Sequence, residues 1–133
     1  MNEEEFKRRT KSLGLQVIRL VEALPKGRTA DVIGRQVLRS ATSVGANYRA
    51  ACRAQSNADM IHKLKVVEEE ADETMYWFDL LGAAGILPPA QLAPLTQAAN
   101  EIVAMTVASL KTLRKKPSQP RVNRQPPIAN RQS

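Results

Sequence analysis

The chain has 133 residues, a formal net charge of +7 and one cysteine, Cys52. This length suits one domain with a single core and is too short for two ordinary domains. A lone cysteine excludes an intramolecular disulfide and favours a reducing, cytoplasmic compartment. The charged N-terminus is unlike a signal peptide. No stretch approaches the roughly 20 apolar residues that cross a bilayer.

Apolar residues recur every three or four positions along most of the chain, whereas β-branched residues never alternate with polar ones over the length of a strand. This spacing predicts an all-α fold. The first predicted helix runs from about Glu4 to Leu24 and ends at the Pro-Lys-Gly sequence that follows it. The second starts after Thr29, its predicted N-cap, and runs to about Ala54.

The third and longest helix is predicted from about Asn57 to Ala84. Gly85 and the two prolines after Leu87 end this helix and start the fourth, which runs to about Lys116. The third helix carries an apolar seam at steps of three and four residues, which keeps one face toward a partner helix. The seam consists of Met60, Leu64, Val67, Ala71, Thr74, Phe78 and Leu81.

Four helices joined by short connections predict an antiparallel, up-down-up-down four-helix bundle over residues 1–116. Residues 117–133 are rich in Pro, Gln, Asn and Arg and have few apolar side chains to bury. A segment of this composition cannot offset the entropy lost on ordering. We therefore predict a disordered basic C-terminal tail that follows the bundle.

The positive charge is unevenly distributed. From Lys111 onward there are seven bases and no acid, so residues 1–110 hold 13 of each. Antiparallel packing brings the starts of helices 1 and 3 beside the ends of helices 2 and 4, which predicts one basic end of the bundle. These cations are predicted to contact RNA or DNA phosphates without base readout; the alternative is that they are solvated charges favoured by helix dipoles. The candidate nucleic-acid-binding residues are Lys7, Arg8, Arg9, Lys11, Arg49, Arg53, Lys111, Arg114, Lys115 and Lys116.

A second polar group is predicted where helices 2 and 3 face each other. A carboxylate at such a position is tolerated only with a cation and hydrogen bonds. The group would set the register of the helices, either within one bundle or between subunits. Its predicted members are Arg39, Ser43 and Asn47 on helix 2, and Lys63, Glu70 and Glu73 on helix 3.

Catalytic motifs are absent from the sequence. It contains no P-loop, no HExxH and no CxxC, His62 is its only histidine, and Cys52 has no evident base beside it. Helix 3 is rich in glutamate but lacks the Glu-x-x-His pairs of di-iron bundles. We therefore expect no metal, no cofactor and no enzymatic activity, and a bundle enzyme with a carboxylate metal site is the least favoured alternative.

The segment from Arg35 to Leu81 resembles a family of bacterial four-helix-bundle proteins, named for reading frames inside intervening sequences of large-subunit ribosomal RNA. It reads RQVLRSATSVGANYRAACRAQSNADMIHKLKVVEEEADETMYWFDLL. The similarity is gapless through most of helices 2 and 3, and it extends over about residues 5–115. The departures are Ala50, Met60, Glu69 and Phe78, where the family has Glu, Phe, Lys and Leu.

The resemblance implies an antiparallel bundle that assembles as a homopentamer and has no enzymatic activity. A related group acts as accessory proteins of diversity-generating retroelements, in which a basic pentamer binds the reverse transcriptase and nucleic acid. We therefore expect an oligomeric bundle that binds nucleic acid without sequence specificity, as an accessory to a reverse transcriptase or to an rRNA-related element, with no membrane partner. The alternative is a protein-interaction scaffold with no nucleic-acid role.

Overall fold

Four α-helices make up residues 2–115, the part of the chain that the computed structural model describes. This range contains no strand, and the all-α prediction is confirmed, with helix ends within about two residues of those predicted. Lys116 and the predicted tail, residues 117–133, lie outside the described residues. The helices are α1 (Glu3–Glu22), α2 (Arg28–Cys52), α3 (Asn57–Ala83) and α4 (Pro89–Arg114).

Side-chain caps set the starts of two helices. The Oδ1 atom of Asn2 accepts a hydrogen bond from the backbone N–H of Glu5 at 2.7 Å, in a first turn with three glutamates. Ser56 Oγ accepts from the backbone N–H of Asp59 at 3.1 Å. Each cap satisfies an N–H group that has no partner inside the helix, which is why these helices begin where they do.

The predicted cap of α2 is wrong. Its N-cap is Gly27, no side-chain oxygen caps the helix, and Thr29 lies inside the first turn. The carbonyl of Gly27 accepts from the N–H of Asp31 at 3.0 Å, so the helical ladder already starts at Arg28. A glycine at the end of a short turn leads the chain into the helix earlier than the side-chain pattern indicates.

The end of α3 follows the predicted signal. Gly85 adopts φ 72°, the left-handed conformation that glycine tolerates best. The N–H of Ile86 then reaches back to the carbonyl of Leu81 at 3.0 Å, which satisfies a carbonyl of the last turn. Pro89 occupies the first turn of α4, where a missing N–H costs nothing.

The helices pack as a four-cornered bundle. Each of α1 and α3 packs beside both α2 and α4, whereas the backbones of α1 and α3 do not approach each other, so these two helices stand at opposite corners. The rings of Phe6 at the start of α1 and Tyr48 near the end of α2 stack with centroids 3.8 Å apart, as antiparallel neighbours allow. Gly34 permits one close approach, because a Cβ there would lie 2.9 Å from Leu24 Cδ1.

The core runs the length of the bundle along the predicted seam of α3. Leu64, Val67, Ala71, Phe78 and Leu81 are all at most 1% exposed. Their burial against the apolar faces of the other helices holds the four helix ends at fixed relative heights. None of the described helices combines the length and apolarity needed to cross a membrane.

Candidate nucleic-acid interface

Four helix ends meet at one end of the bundle, which we call the basic end. Phe6 from α1, Met60 from α3 and Leu113 from α4 line one groove there, and Tyr48 from α2 stacks on Phe6. The described candidate cations lie in the first half of α1 and at or just after the last turns of α2 and α4. The topology therefore brings together residues that are more than 100 positions apart in the chain.

Carboxylates at the basic end neutralise three of the candidate cations in part. Lys7 Nζ lies 3.1 Å from Glu3, and Arg8 lies 3.7 Å from Glu5. Arg9 is held most firmly, because it contacts Glu5 at 2.9 Å and Glu101 of α4 at 3.0 Å. These exposed pairs contribute little to folding, but they lower the positive potential around all three cations.

Six other candidates are exposed and form no ion pair with any residue in the range 2–115. They come from one end of the bundle and from three different helices. An uncompensated group of this kind attracts polyanions and releases their condensed counterions. The six are Lys11, Arg49, Arg53, Lys111, Arg114 and Lys115.

Part of this charge lines a groove between α1 and α2 that encloses about 810 Å³. The end of the groove nearest the basic end carries Lys7, Lys11, Arg49 and Arg53, with Glu3 paired to Lys7. Further along, its walls are apolar or small, and two large apolar side chains remain exposed there: Leu15 is 43% exposed and Ile18 is 42% exposed. We call this surface the α1–α2 groove; it combines a cationic half with an apolar half.

Aromatic rings are not available for stacking on bases at the basic end. Within residues 2–115, the rings of that end are Phe6 and Tyr48, which are 4% and 5% exposed and stacked on each other. Modules that read single-stranded bases present exposed rings instead. The chemistry of this end therefore suits contact with phosphates rather than with bases.

The second predicted polar group is located on the other side of α2, where α2 packs on α3. Arg39 Nη1 donates to both oxygens of Glu70 at 3.3 and 3.2 Å, and Arg39 Nη2 donates to Glu73. Trp77 Nε1 donates to the same Glu73 oxygen at 2.9 Å. We call these four residues the α2–α3 clamp, because one guanidinium links two carboxylates of the neighbouring helix.

Contacts within the clamp change the pKa values of Glu73 and Arg39. The pKa of Glu73 is lowered, chiefly by the hydrogen bond from Trp77 and then by Arg39. The pKa of Arg39 is raised, chiefly because Glu73 accepts its hydrogen bond. The hydrogen bonds therefore favour the charged form of each group.

Three predicted members of this polar group do not join the clamp. Asn47 Nδ2 donates to the carbonyl and the hydroxyl of Ser43 at 2.9 and 2.8 Å, so both side chains are used within α2. Lys63 Nζ lies 3.7 Å from Asp59 on its own helix. Asn47 lies eight residues from Arg39 along α2, about 12 Å nearer the basic end, which places it at the level of other α3 residues than Glu70 and Glu73.

Sequence reasoning missed two contacts of this seam. Trp77 Nε1 is one of them, and its spacing of four residues from Glu73 is the signal that it could donate to the carboxylate. The buried hydroxyls of Ser40 and Thr74 also meet across the seam, with Thr74 Oγ1 donating to Ser40 Oγ at 2.8 Å. No three His, Cys, Asp or Glu side chains of residues 2–115 are grouped as they would be around a metal ion.

The chain is similar to a known protein family and to a protein of known structure. A family model described as 23S rRNA-intervening sequence protein matches residues 3–108. The chain is also similar to a protein of unknown function from the S23 ribosomal protein family of Bacteroides thetaiotaomicron, solved by crystallography at 1.70 Å resolution. The two are 32% identical, the match covers 84% of this chain and 99% of that chain, and the TM-score is 0.79. No curated protein matches the chain.

Proposed function

The chain belongs to the 23S rRNA-intervening sequence protein family, and from that premise we propose that it is a non-enzymatic, oligomeric bundle that binds nucleic acid through its basic end. Binding involves the phosphate backbone and carries no sequence specificity. The protein acts in the cytoplasm as an accessory to an rRNA-related element or to a reverse transcriptase. Its assembly is the homopentamer that the family resemblance implies.

The observation that carries the proposal is the group of six exposed cations without a carboxylate partner among the described residues. Glu3, Glu5 and Glu101 offset Lys7, Arg8 and Arg9 instead. Each remaining cation that neutralises a phosphate releases a counterion, which is the main source of affinity for non-specific binding.

Oligomerisation would strengthen weak contacts. A ring of subunits that points its basic ends to one side offers the same cations several times to one polyanion, and linked contacts raise affinity without any new chemistry. The family description and the name of the similar protein's family both refer to ribosomal RNA or ribosomal protein. RNA is therefore the first nucleic acid to test.

A second candidate function is a protein-interaction scaffold with no nucleic-acid role. The observation that favours it is the exposure of Leu15 and Ile18 in the α1–α2 groove, since apolar side chains grouped on one face often mark a protein interface. A scaffold of this kind would bind a protein partner with little dependence on salt. Nucleic-acid binding by backbone contact would weaken steeply as salt rises.

The test is a titration of the full-length chain with labelled single-stranded RNA between about 50 and about 200 mM salt. We expect binding at low salt that weakens steeply with increasing salt. The triple variant Lys111→Gln, Arg114→Gln, Lys115→Gln should lower the log–log salt slope by about 2, which corresponds to three lost phosphate contacts.

The matched control removes three cations from the opposite end, through Arg19→Gln, Lys26→Gln and Arg28→Gln. These residues are exposed, and their replacement should leave the salt slope unchanged. No binding at low salt would overturn the nucleic-acid proposal. An equal loss in both triple variants would show that net charge, rather than the basic end, attracts the RNA.

A further inference from the structure

We propose that the α1–α2 groove of one copy of this chain receives the exposed face of α3 from a second copy. The receiving surface is lined by Leu15 and Ile18 together with the groove cations. The inserted surface, which we call the α3 stripe, consists of Glu69, Asp72, Tyr76 and Asp79. This inference deepens the oligomeric part of the proposed function and rests on it, and it assigns the surfaces by which the subunits meet.

Exposed apolar residues are concentrated on these two surfaces. Among the described residues, the exposed large hydrophobics are Leu15, Ile18, Val32 and Tyr76. Two of them lie in the α1–α2 groove, and Tyr76, 54% exposed, lies in the middle of the α3 stripe. An exposed tyrosine is a strong anchor for an interface, because it buries a large rigid area and keeps a polar tip.

The α3 stripe holds Tyr76 in a defined orientation. The Tyr76 ring packs edge-on against Trp77, with centroids 5.2 Å apart. Trp77 is itself fixed by its hydrogen bond to Glu73 at 2.9 Å, and Arg39 bonds the same carboxylate. The clamp thus preorganises the anchor, which lowers the entropy lost when the interface forms.

The charges of the two surfaces are opposite. The groove carries Lys11, Arg49 and Arg53, which pair with no carboxylate in residues 2–115. The stripe carries Glu69, Asp72 and Asp79, which likewise pair with no cation of the described chain. Complementary potentials of this kind fix the register of an interface and exclude wrong partners.

The two surfaces also match in length. The stripe from Glu69 to Asp79 rises about 15 Å along α3, at 1.5 Å per residue. The α2 wall of the groove from Thr42 to Arg53 rises about 16 Å. A row of side chains on one helix packs between two others when it lies along the groove between them.

The contact is heterologous, because the groove and the stripe are different surfaces of the same chain. α1 and α3 stand at opposite corners of the bundle, and the stripe is on the exposed face of α3, so one copy cannot fill its own groove with its own stripe. Every copy that joins offers a fresh groove and a fresh stripe. Such contacts close into a ring when the rotation between copies permits it.

This interface divides the cations of the basic end into two groups. Lys11, Arg49 and Arg53 become partners of the next subunit's carboxylates. Lys111, Arg114 and Lys115 lie at the end of α4, outside the α1–α2 groove, and stay available for phosphate. Assembly and nucleic-acid binding then depend on different residues, which makes them separable by mutation.

The test uses full-length chains and molar mass from light scattering. The groove variant Leu15→Glu, Ile18→Glu and the stripe variant Asp72→Lys, Tyr76→Lys should each fall to the single-chain mass of 14.7 kDa. All four positions are exposed, and circular dichroism checks that each variant remains helical. Val32→Glu introduces the same charge at an exposed apolar residue outside the groove and should keep the parent's mass.

Mixing the two defective variants is the decisive measurement. Each retains one intact surface, so the mixture should form a one-to-one dimer with twice the single-chain mass, while neither variant does so alone. A mixture that stays at the single-chain mass, or loss of assembly in Val32→Glu as well, would overturn the proposed contact. A parent chain that is monomeric would also overturn it, together with the oligomeric part of the proposed function.

RNA titration of the same variants separates this inference from the nucleic-acid proposal. The stripe variant keeps all of the α4 cations and should still bind RNA at low salt, with affinity reduced only through lost multivalency. If the groove variant remained assembled but lost RNA binding, the groove would be a nucleic-acid site and the inference would be wrong. If the parent and Val32→Glu both assembled but neither bound RNA at low salt, the nucleic-acid proposal alone would fail.

Discussion

Arg39 and Arg49 lie on the same helix, ten residues apart, yet their surroundings differ in kind. Arg39 bonds Glu70 and Glu73 of the neighbouring helix. Arg49 lines the α1–α2 groove and pairs with no carboxylate within residues 2–115. The clamp pairs its charges within one chain, whereas the groove cations Lys11, Arg49 and Arg53 pair with no carboxylate among residues 2–115.

This difference indicates how the two regions contribute. A charge that is paired and hydrogen-bonded within the chain helps to set helix register, and its loss is felt in folding. A charge that is exposed and unpaired contributes almost nothing to the stability of the fold. Any free energy that it contributes comes from contacts with another molecule. Variants in the clamp should therefore change the stability of the isolated chain, and variants in the groove should change assembly or binding.

The largest expected effect comes from the core beneath the clamp. Phe78 is 1% exposed, and Phe78→Ala should lower the free energy of unfolding by about 3–5 kcal/mol, since it removes a ring and leaves a cavity. Leu15→Ala in the groove should lower the free energy of unfolding only while the chains are associated. This difference should disappear when the chains are diluted enough to dissociate. Urea unfolding at several protein concentrations measures both. A concentration-dependent cost for Phe78→Ala, or a constant cost for Leu15→Ala, would contradict the comparison.

A smaller effect is expected from replacing Arg39 of the clamp and, for comparison, Arg49 of the groove. Arg39→Ala should lower the free energy of unfolding by about 1 kcal/mol, a value limited by the 49% exposure of its side chain. Arg49→Ala should change the stability of the dissociated chain by less than about 0.5 kcal/mol. The two changes remove the same side chain from the same helix, so each serves as the control of the other. Equal costs in urea unfolding would mean that the clamp contributes no more than a solvated arginine.

The dependence of stability on pH sharpens the same comparison. The pKa of Glu73 is lowered in the folded chain, so its ionisation stabilises the fold above its ordinary value of 4.5. That contribution is lost as pH falls below 4.5 and through the folded pKa. Glu73→Gln should therefore be less stable than the parent near neutral pH, and the difference should shrink as pH falls below 4.5. The control is Glu22→Gln, which removes an exposed carboxylate outside the clamp, the groove and the stripe.

The smallest expected effect concerns the ion pair that links α1 to α4 at the basic end. Glu101→Gln should change stability by less than about 0.5 kcal/mol, because the pair with Arg9 is exposed. It frees Arg9 in part, so RNA should bind slightly more tightly at low salt. Glu22→Gln removes the same charge far from the basic end and should not change RNA binding. Weaker RNA binding by Glu101→Gln would contradict the assignment of the basic end.

The helices and their order were predictable because the causes are local. The seam of α3 is visible as a spacing of three and four residues, the cap at Ser56 is visible three residues before Asp59, and the stop at Gly85 needs only a residue that accepts positive φ. Thr29 shows the limit of such signals. It has the right side chain for a cap, but the turn at Gly27 starts the helix before it.

The partners of the polar side chains could not be predicted with the same success. Arg39 with Glu70 and Glu73 was anticipated, while Ser43, Asn47 and Lys63 turned to groups on their own helices. Likewise, the sequence shows three glutamates near three cations at the N-terminus, but the contact between Arg9 and Glu101 joins residues 92 positions apart. Spacing along one helix cannot say which residue of another helix stands at the same level.

The amino-acid sequence by itself determined four helices, their antiparallel order and a concentration of cations at one end, because periodicity, caps and short turns act over a few residues. Only the tertiary structure shows which cations are neutralised and which are left exposed, and only it shows the groove between α1 and α2. The physical reason is that ion pairs form within about 4 Å. Distances of that size depend on the relative height and rotation of packed helices, which the burial of the whole core sets.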